Sequence, residues 1–126
     1  RILNFIENRI DKFCYVKRDS KSIVSLKNII YFEKQGRYVM IRTKENTDKF
    51  IMSTNELLEK LNKNFIQIHT SFVINLNYLK RIASDKAVLS ISHKDKDETV
   101  TLQISRKFRT QVREEIVHFM GGKLGI

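Results

Sequence analysis

The 126-residue chain has no proline, one cysteine and four glycines, and each shortage narrows what it can be. With Cys14 alone, no disulfide can form within the chain, which excludes a stapled secreted scaffold and predicts a reducing, cytoplasmic setting. Three of the glycines lie in residues 121–126, so none is left to build a phosphate-cradling loop. Without proline or a Gly/Ser tract there is no hinge at which the chain would divide, and a single domain with one core is predicted. The longest uncharged stretch, residues 65–79, is interrupted by Gln, His, Thr, Ser and Asn. It falls short of the about 20 apolar residues of a spanning helix, so no membrane segment is expected. His69, His93, His118 and Cys14 show no metal-ligand spacing, and no G-x-S-x-G elbow surrounds Ser71. Neither a metal, nor a cofactor, nor a catalytic activity is predicted.

What the chain has in excess is positive charge. Its 24 Lys and Arg against 14 Asp and Glu leave a net charge of +10 and a pI near 9.9. A phosphate polymer is therefore the expected partner, with plain solubility charge as the alternative, and the placement of the cations must distinguish them.

Leu3, Ile6, Ile10 and Phe13 fall at helical spacing and predict an amphipathic connector helix over residues 1–12. A chain opening at Arg1 without methionine suggests that a further domain precedes it. From residue 13 the apolar runs FCYV, SIVSL, NIIYFE, RYVMIRT and KFIM recur every eight to twelve residues, the rhythm of antiparallel strands. Ser53 followed by Glu56 is a capping box, with Met52 and Leu57 as its staple, and predicts a short helix near 54–62 that buries Leu57, Leu58 and Leu61. Alternation at Leu89 and Ile91, and again at Val100, Leu102 and Ile104, predicts strands with one buried face. Phe108, Val112, Ile116 and Phe119 form the apolar stripe of a terminal helix whose opposite stripe is Arg106, Arg109 and Arg113, and residues 121–126 read as a tail.

Three groups of cations could meet phosphate. No acidic residue lies between Glu98 and Glu114, so Arg106, Lys107, Arg109 and Arg113 stand together where Ser105 is expected to cap the terminal helix. Lys34, Gln35 and Arg37 flank the tight turn at Gly36, and forked donors at a loop tip suit major-groove readout. Lys80, Arg81 and Lys86 form a vaguer third group. Between them lies FIQIHTSFVINLNYLKRI, residues 65–82, in which the polar triplet His69-Thr70-Ser71 interrupts a strand pattern where a turn would re-aim side chains. His69 reads more readily as a hydrogen-bonded core residue than as a catalyst.

Taken in order, NIIYFE, KQGRYVMIRT, NELLEKL, FIQIHTSFVINLNYLKRI and LQISRKFR resemble the LytTR domain over roughly residues 13–120. LytTR domains are the DNA-binding output modules of bacterial response regulators of the LytR/AlgR and AgrA type. The resemblance implies a mainly β fold of stacked antiparallel sheets, an elongated sandwich whose loops enter the major groove of double-stranded DNA. By position it assigns base contacts to Gln35, Arg37, Tyr38, Thr70 and Arg106, and phosphate contacts to Lys34, Ser71, Lys107 and Arg109. His69 would position its loop. Family members often carry Arg or Asn where this chain has Thr70, which offers one hydroxyl and a methyl in place of a bidentate fork. The resemblance further implies a transcription regulator in a two-component system, a receiver domain upstream, and a homodimer on repeated half-sites. The competing readings are a small β-barrel for single-stranded nucleic acid or RNA, which would need exposed aromatics, and a protein-interaction module carried by the terminal helices.

Overall fold

A computed structural model describes residues 11–124. Residues 1–10 of the predicted connector helix lie outside them; Asp11 stands in a turn, and Lys12 and Phe13, counted above with the helix, belong to a strand. The strands are β1 (Lys12–Lys17), β2 (Ser20–Ser25), β3 (Ile29–Gln35), β4 (Tyr38–Thr43) and β5 (Thr47–Ile51). After helix α1 (Thr54–Glu59) follow β6 (Phe65–His69), β7 (Phe72–Asn75), β8 (Leu79–Ala83), β9 (Lys86–His93) and β10 (Lys96–Gln103). Helix α2 (Arg109–Leu124) closes the described residues and runs into the segment read above as a tail.

All strand pairs are antiparallel, in a β1–β2 hairpin, a five-stranded sheet ordered β5-β4-β3-β7-β6, and a three-stranded sheet ordered β10-β9-β8. The five-stranded sheet is buried on both faces, so the single core expected from length divides in two. On one face Phe32, Val39, Ile41, Phe50 and Val73 pack against Phe13 and Tyr15 of the hairpin and against Leu57 of α1. On the other, Ile30, Ile66, Ile68 and Ile74 pack against Leu89, Ile91 and Leu102 of the three-stranded sheet and Val112 of α2. Phe108, Ile116 and Phe119 join this second cluster, as their helical stripe requires.

Strict alternation could not place Ile30 and Tyr31 on the same face. The register shifts between Ile29 and Tyr31, and this irregularity lets both reach the second cluster while Ile29 and Phe32 stay in the first. The carbonyl of Ile29 accepts a hydrogen bond at 2.8 Å from the amide of Asn75, a side chain only 1% exposed, whose Oδ1 accepts at 2.9 Å from the backbone N–H of Asn77. One buried asparagine thus supports the irregular stretch of β3 and caps the turn after β7.

Helix α1 starts where the sequence places it, with Ser53 Oγ accepting from the Glu56 N–H at 3.1 Å and Met52 and Leu57 in one cluster. It ends sooner than residue 62. Asn62 Oδ1 accepts from the Asn64 N–H at 2.9 Å, a local turn that competes with continued helix.

Candidate nucleic-acid interface

Strand direction brings the basic segments together. β3 ends at Gln35 and β4 begins at Tyr38, while β6 ends at His69 and β7 begins at Phe72, with Glu33 paired to Phe72. Both connections therefore sit at one end of the central sheet, and the Lys34 N–H donates to the Ser71 carbonyl at 2.7 Å to join them. A second irregularity, between Gln67 and His69, coincides with a hydrogen bond at 3.0 Å from the Ser105 N–H to the Ile68 carbonyl. That bond fastens the β10–α2 connection to the same end. Three segments far apart in sequence, carrying Arg37, Thr70 and Arg106, become neighbours.

The path of each loop has an identifiable local cause. Gly36 has φ +64° in a two-residue hairpin turn whose second residue, Arg37, has negative φ, the arrangement that favours glycine at the first position. At the second loop, the Ser71 N–H donates to Nδ1 of His69 at 3.0 Å, and the imidazole lies 5.2 Å from the Phe72 ring. At the third, a 3₁₀ turn, Arg106–Phe108, precedes α2, and the Phe108 N–H donates to the Ser105 carbonyl at 3.0 Å. The expected side-chain cap is absent. Ser105 holds this junction through its backbone, and its hydroxyl is buried without a hydrogen-bond partner.

The side chains sort by exposure. Gln35, Arg37, Tyr38, Thr70, Arg106, Lys107 and Arg109 are exposed, whereas Lys34, His69 and Ser71 are half-buried. The Lys34 ammonium donates to the Met52 carbonyl, so the lysine also braces the β3–β4 turn against the chain entering α1. Among the described residues only Lys17–Asp48 and Arg42–Glu98 form ion pairs, which leaves Arg37, Arg106 and Lys107 without a carboxylate within 4.0 Å. Arg109 is partly offset by Asp85. That carboxyl is held below the usual range chiefly by a hydrogen bond from Gln103 Nε2 at 2.8 Å, with Lys86 and Arg109 adding attraction. Lys80 and Arg81 lie exposed on edge strand β8, whereas Lys86 starts β9 opposite Gln103, next to the β10–α2 connection, where the Ile104 N–H donates to the Asp85 carbonyl at 2.8 Å.

One residue at this end escaped the sequence reading. Lys49 of β5 places its ammonium 5.4 Å from the centre of the Tyr38 ring, and the Arg37 guanidinium lies 5.6 Å from the same ring. Only the β4–β5 register, with Met40 opposite Lys49 and Tyr38 opposite Ile51, makes them neighbours. Among the described residues there is no cluster of His, Cys, Asp or Glu that could hold a metal, and no helix long and apolar enough to cross a membrane.

The described residues form a mainly β module of stacked antiparallel sheets that gathers, on the loops of one end, cations with no carboxylate partner among them. Residues 19–116 match the model of the LytTr DNA-binding domain, and the chain belongs to that family. A solved structure assigned as the LytTr DNA-binding domain of a methyl-accepting/DNA response regulator from Bacillus cereus shares the fold, with a TM-score of 0.65 at 23% identity. The alignment covers 84% of this chain and 96% of that one. No curated protein matches.

Proposed function

We propose that this DNA-binding domain reads a specific sequence in double-stranded DNA with three loops placed in the major groove, and that it serves as the output domain of a bacterial transcription regulator. Gln35, Arg37 and Tyr38 on the first loop, Thr70 on the second and Arg106 on the third contact bases. Lys34, Ser71, Lys107 and Arg109 contact phosphates, and His69 holds the second loop in shape. The single observation that carries this reading is the pair of backbone bonds, Lys34 to Ser71 and Ser105 to Ile68, that fix three cationic or polar loops at one end of a rigid sheet. Loops so fixed lose little freedom on binding, which favours selective contacts over a merely sticky surface. In the cell the domain works in the cytoplasm below a receiver domain, as a homodimer on repeated half-sites.

Aromatic exposure argues against the single-strand alternative. Tyr38, 38% exposed, is the sole exposed aromatic among the described residues, and the Tyr78 hydroxyl is turned to the Lys27 carbonyl at 2.7 Å. Stacking successive bases needs a row of such rings. The test is a salt titration on duplexes selected from a random library. Neutralising about six phosphates gives a slope of log affinity on log salt near −5, together with a clear preference for the selected duplex. Equal affinity for scrambled duplex, or tighter binding of the single strand, would reject the proposal.

A further inference from the structure

Beside the first loop lies an apolar feature of which only Tyr38 enters these contacts. Ile51, the last residue of β5, is 56% exposed and stands directly opposite Tyr38 in the β4–β5 ladder. Opposed residues on antiparallel strands share a face, so the two form an exposed apolar pair, flanked by the ammonium of Lys49 and the guanidinium of Arg37 over the tyrosine ring. The pair is anchored to the loop end: the Met52 N–H donates to the Arg37 carbonyl at 3.3 Å and Lys34 holds the Met52 carbonyl. The neighbouring Asp48 carboxylate accepts from Lys17 and Tyr15 and from the Lys49 backbone N–H at 2.8 Å, while the Lys49 ammonium forms no ion pair with it.

An exposed isoleucine on an edge strand is ordinarily a liability, because it invites association, and the cations beside its tyrosine neighbour would disfavour an apolar protein partner. Cations flanking an apolar pair do fit a surface with phosphates at its rims and methyl groups on its floor. We infer that Ile51 and Tyr38 form a thymine-reading contact at the outer edge of the DNA site, with Lys49 pairing to the adjacent phosphate. Isoleucine has no donor or acceptor, so the only base feature in the major groove it distinguishes is the thymine 5-methyl group. The inference rests on the duplex-binding reading proposed above.

The test uses a duplex selected by the wild-type chain from a random library, and the same duplex with single thymines replaced by uracil, which deletes one methyl and no hydrogen bond. Losing one buried methyl is worth about fourfold in affinity. The wild type is expected to lose about that much at one outer thymine, Ile51→Ala to bind both duplexes equally, and Ile51→Val to keep part of the discrimination. Lys49→Gln should weaken every duplex alike and reduce the salt slope by about one. No wild-type discrimination at any thymine, or discrimination undiminished in Ile51→Ala, overturns the inference. Arg106→Ala, measured alongside, separates the two levels: if it weakens selected duplex while Ile51→Ala changes nothing, the thymine contact fails and the three-loop reading stands. If neither matters, both fall.

Discussion

The backbone N–H of Ser71 donates to Nδ1 of His69 at 3.0 Å, so the imidazole accepts at that nitrogen and carries its proton on Nε2. A side chain at the end of β6 thereby dictates the path of the turn that presents Thr70. His69→Ala removes the acceptor and frees the turn. We expect about 1 kcal/mol lost in stability, as for one hydrogen bond, and a larger loss in affinity for the selected duplex. Denaturant melts and a binding titration on one preparation would check the split.

Gly36 is needed for its backbone, not for space. A Cβ there meets nothing within 4 Å, but the φ of +64° disfavours any side chain. Gly36→Ala should therefore cost about 1–2 kcal/mol of stability through conformation alone. Denaturant unfolding at constant m-value would measure it.

Asn75 closes the irregular stretch of β3 from within. Asn75→Leu leaves the Ile29 carbonyl buried and unpaired, at a cost of about 1–3 kcal/mol before any packing strain. Because Asn75 lies at the far end of β7 from Ser71, affinity per folded molecule should be unchanged. Comparing the thermal midpoint with active-fraction-corrected binding tests both halves.

The hairpin is latched to the sheet through Asp48, which accepts from the Tyr15 hydroxyl and from Lys17, each at 2.7 Å. The Lys17 hydrogen bond is the main cause of a lowered Asp48 pKa, and burial is the main cause of a raised Tyr15 pKa, with the Asp48 bond adding to it. The signs are opposite. Asp48 stabilises above the unfolded carboxyl value of about 3.9, and that contribution is lost as acid carries the pH down through the lower folded value. Tyr15 stabilises below about 10, and its contribution is lost as the pH rises through the higher folded value. We expect Asp48→Asn to cost about 1 kcal/mol at neutral pH and nothing in strong acid. Tyr15→Phe should flatten the alkaline limb. Urea midpoints across pH for the three proteins would decide both.

Much of the strand content was legible because it is local: alternation marks Leu89 and Ile91, and a capping box marks Ser53. The basic loops were legible because their charges cluster in sequence. Pairing was not, since a register is chosen by packing between distant segments. The irregularities at Ile29–Tyr31 and Gln67–His69, the partnership of Lys49 with Tyr38, and the inward turn of Lys34 all depend on it. Ser105 misled for a different reason: a serine before a helix reads as a cap, yet here its N–H is spent on Ile68 and its hydroxyl lies buried.

The most direct measurement compares Arg106→Ala with Lys107→Ala on selected and scrambled duplexes at fixed salt. If the third loop reads bases, Arg106→Ala loses about 1–3 kcal/mol on the selected duplex and little on the scrambled one, while Lys107→Ala weakens both alike. Equal losses on the two duplexes for Arg106→Ala would contradict base reading by the joined loops.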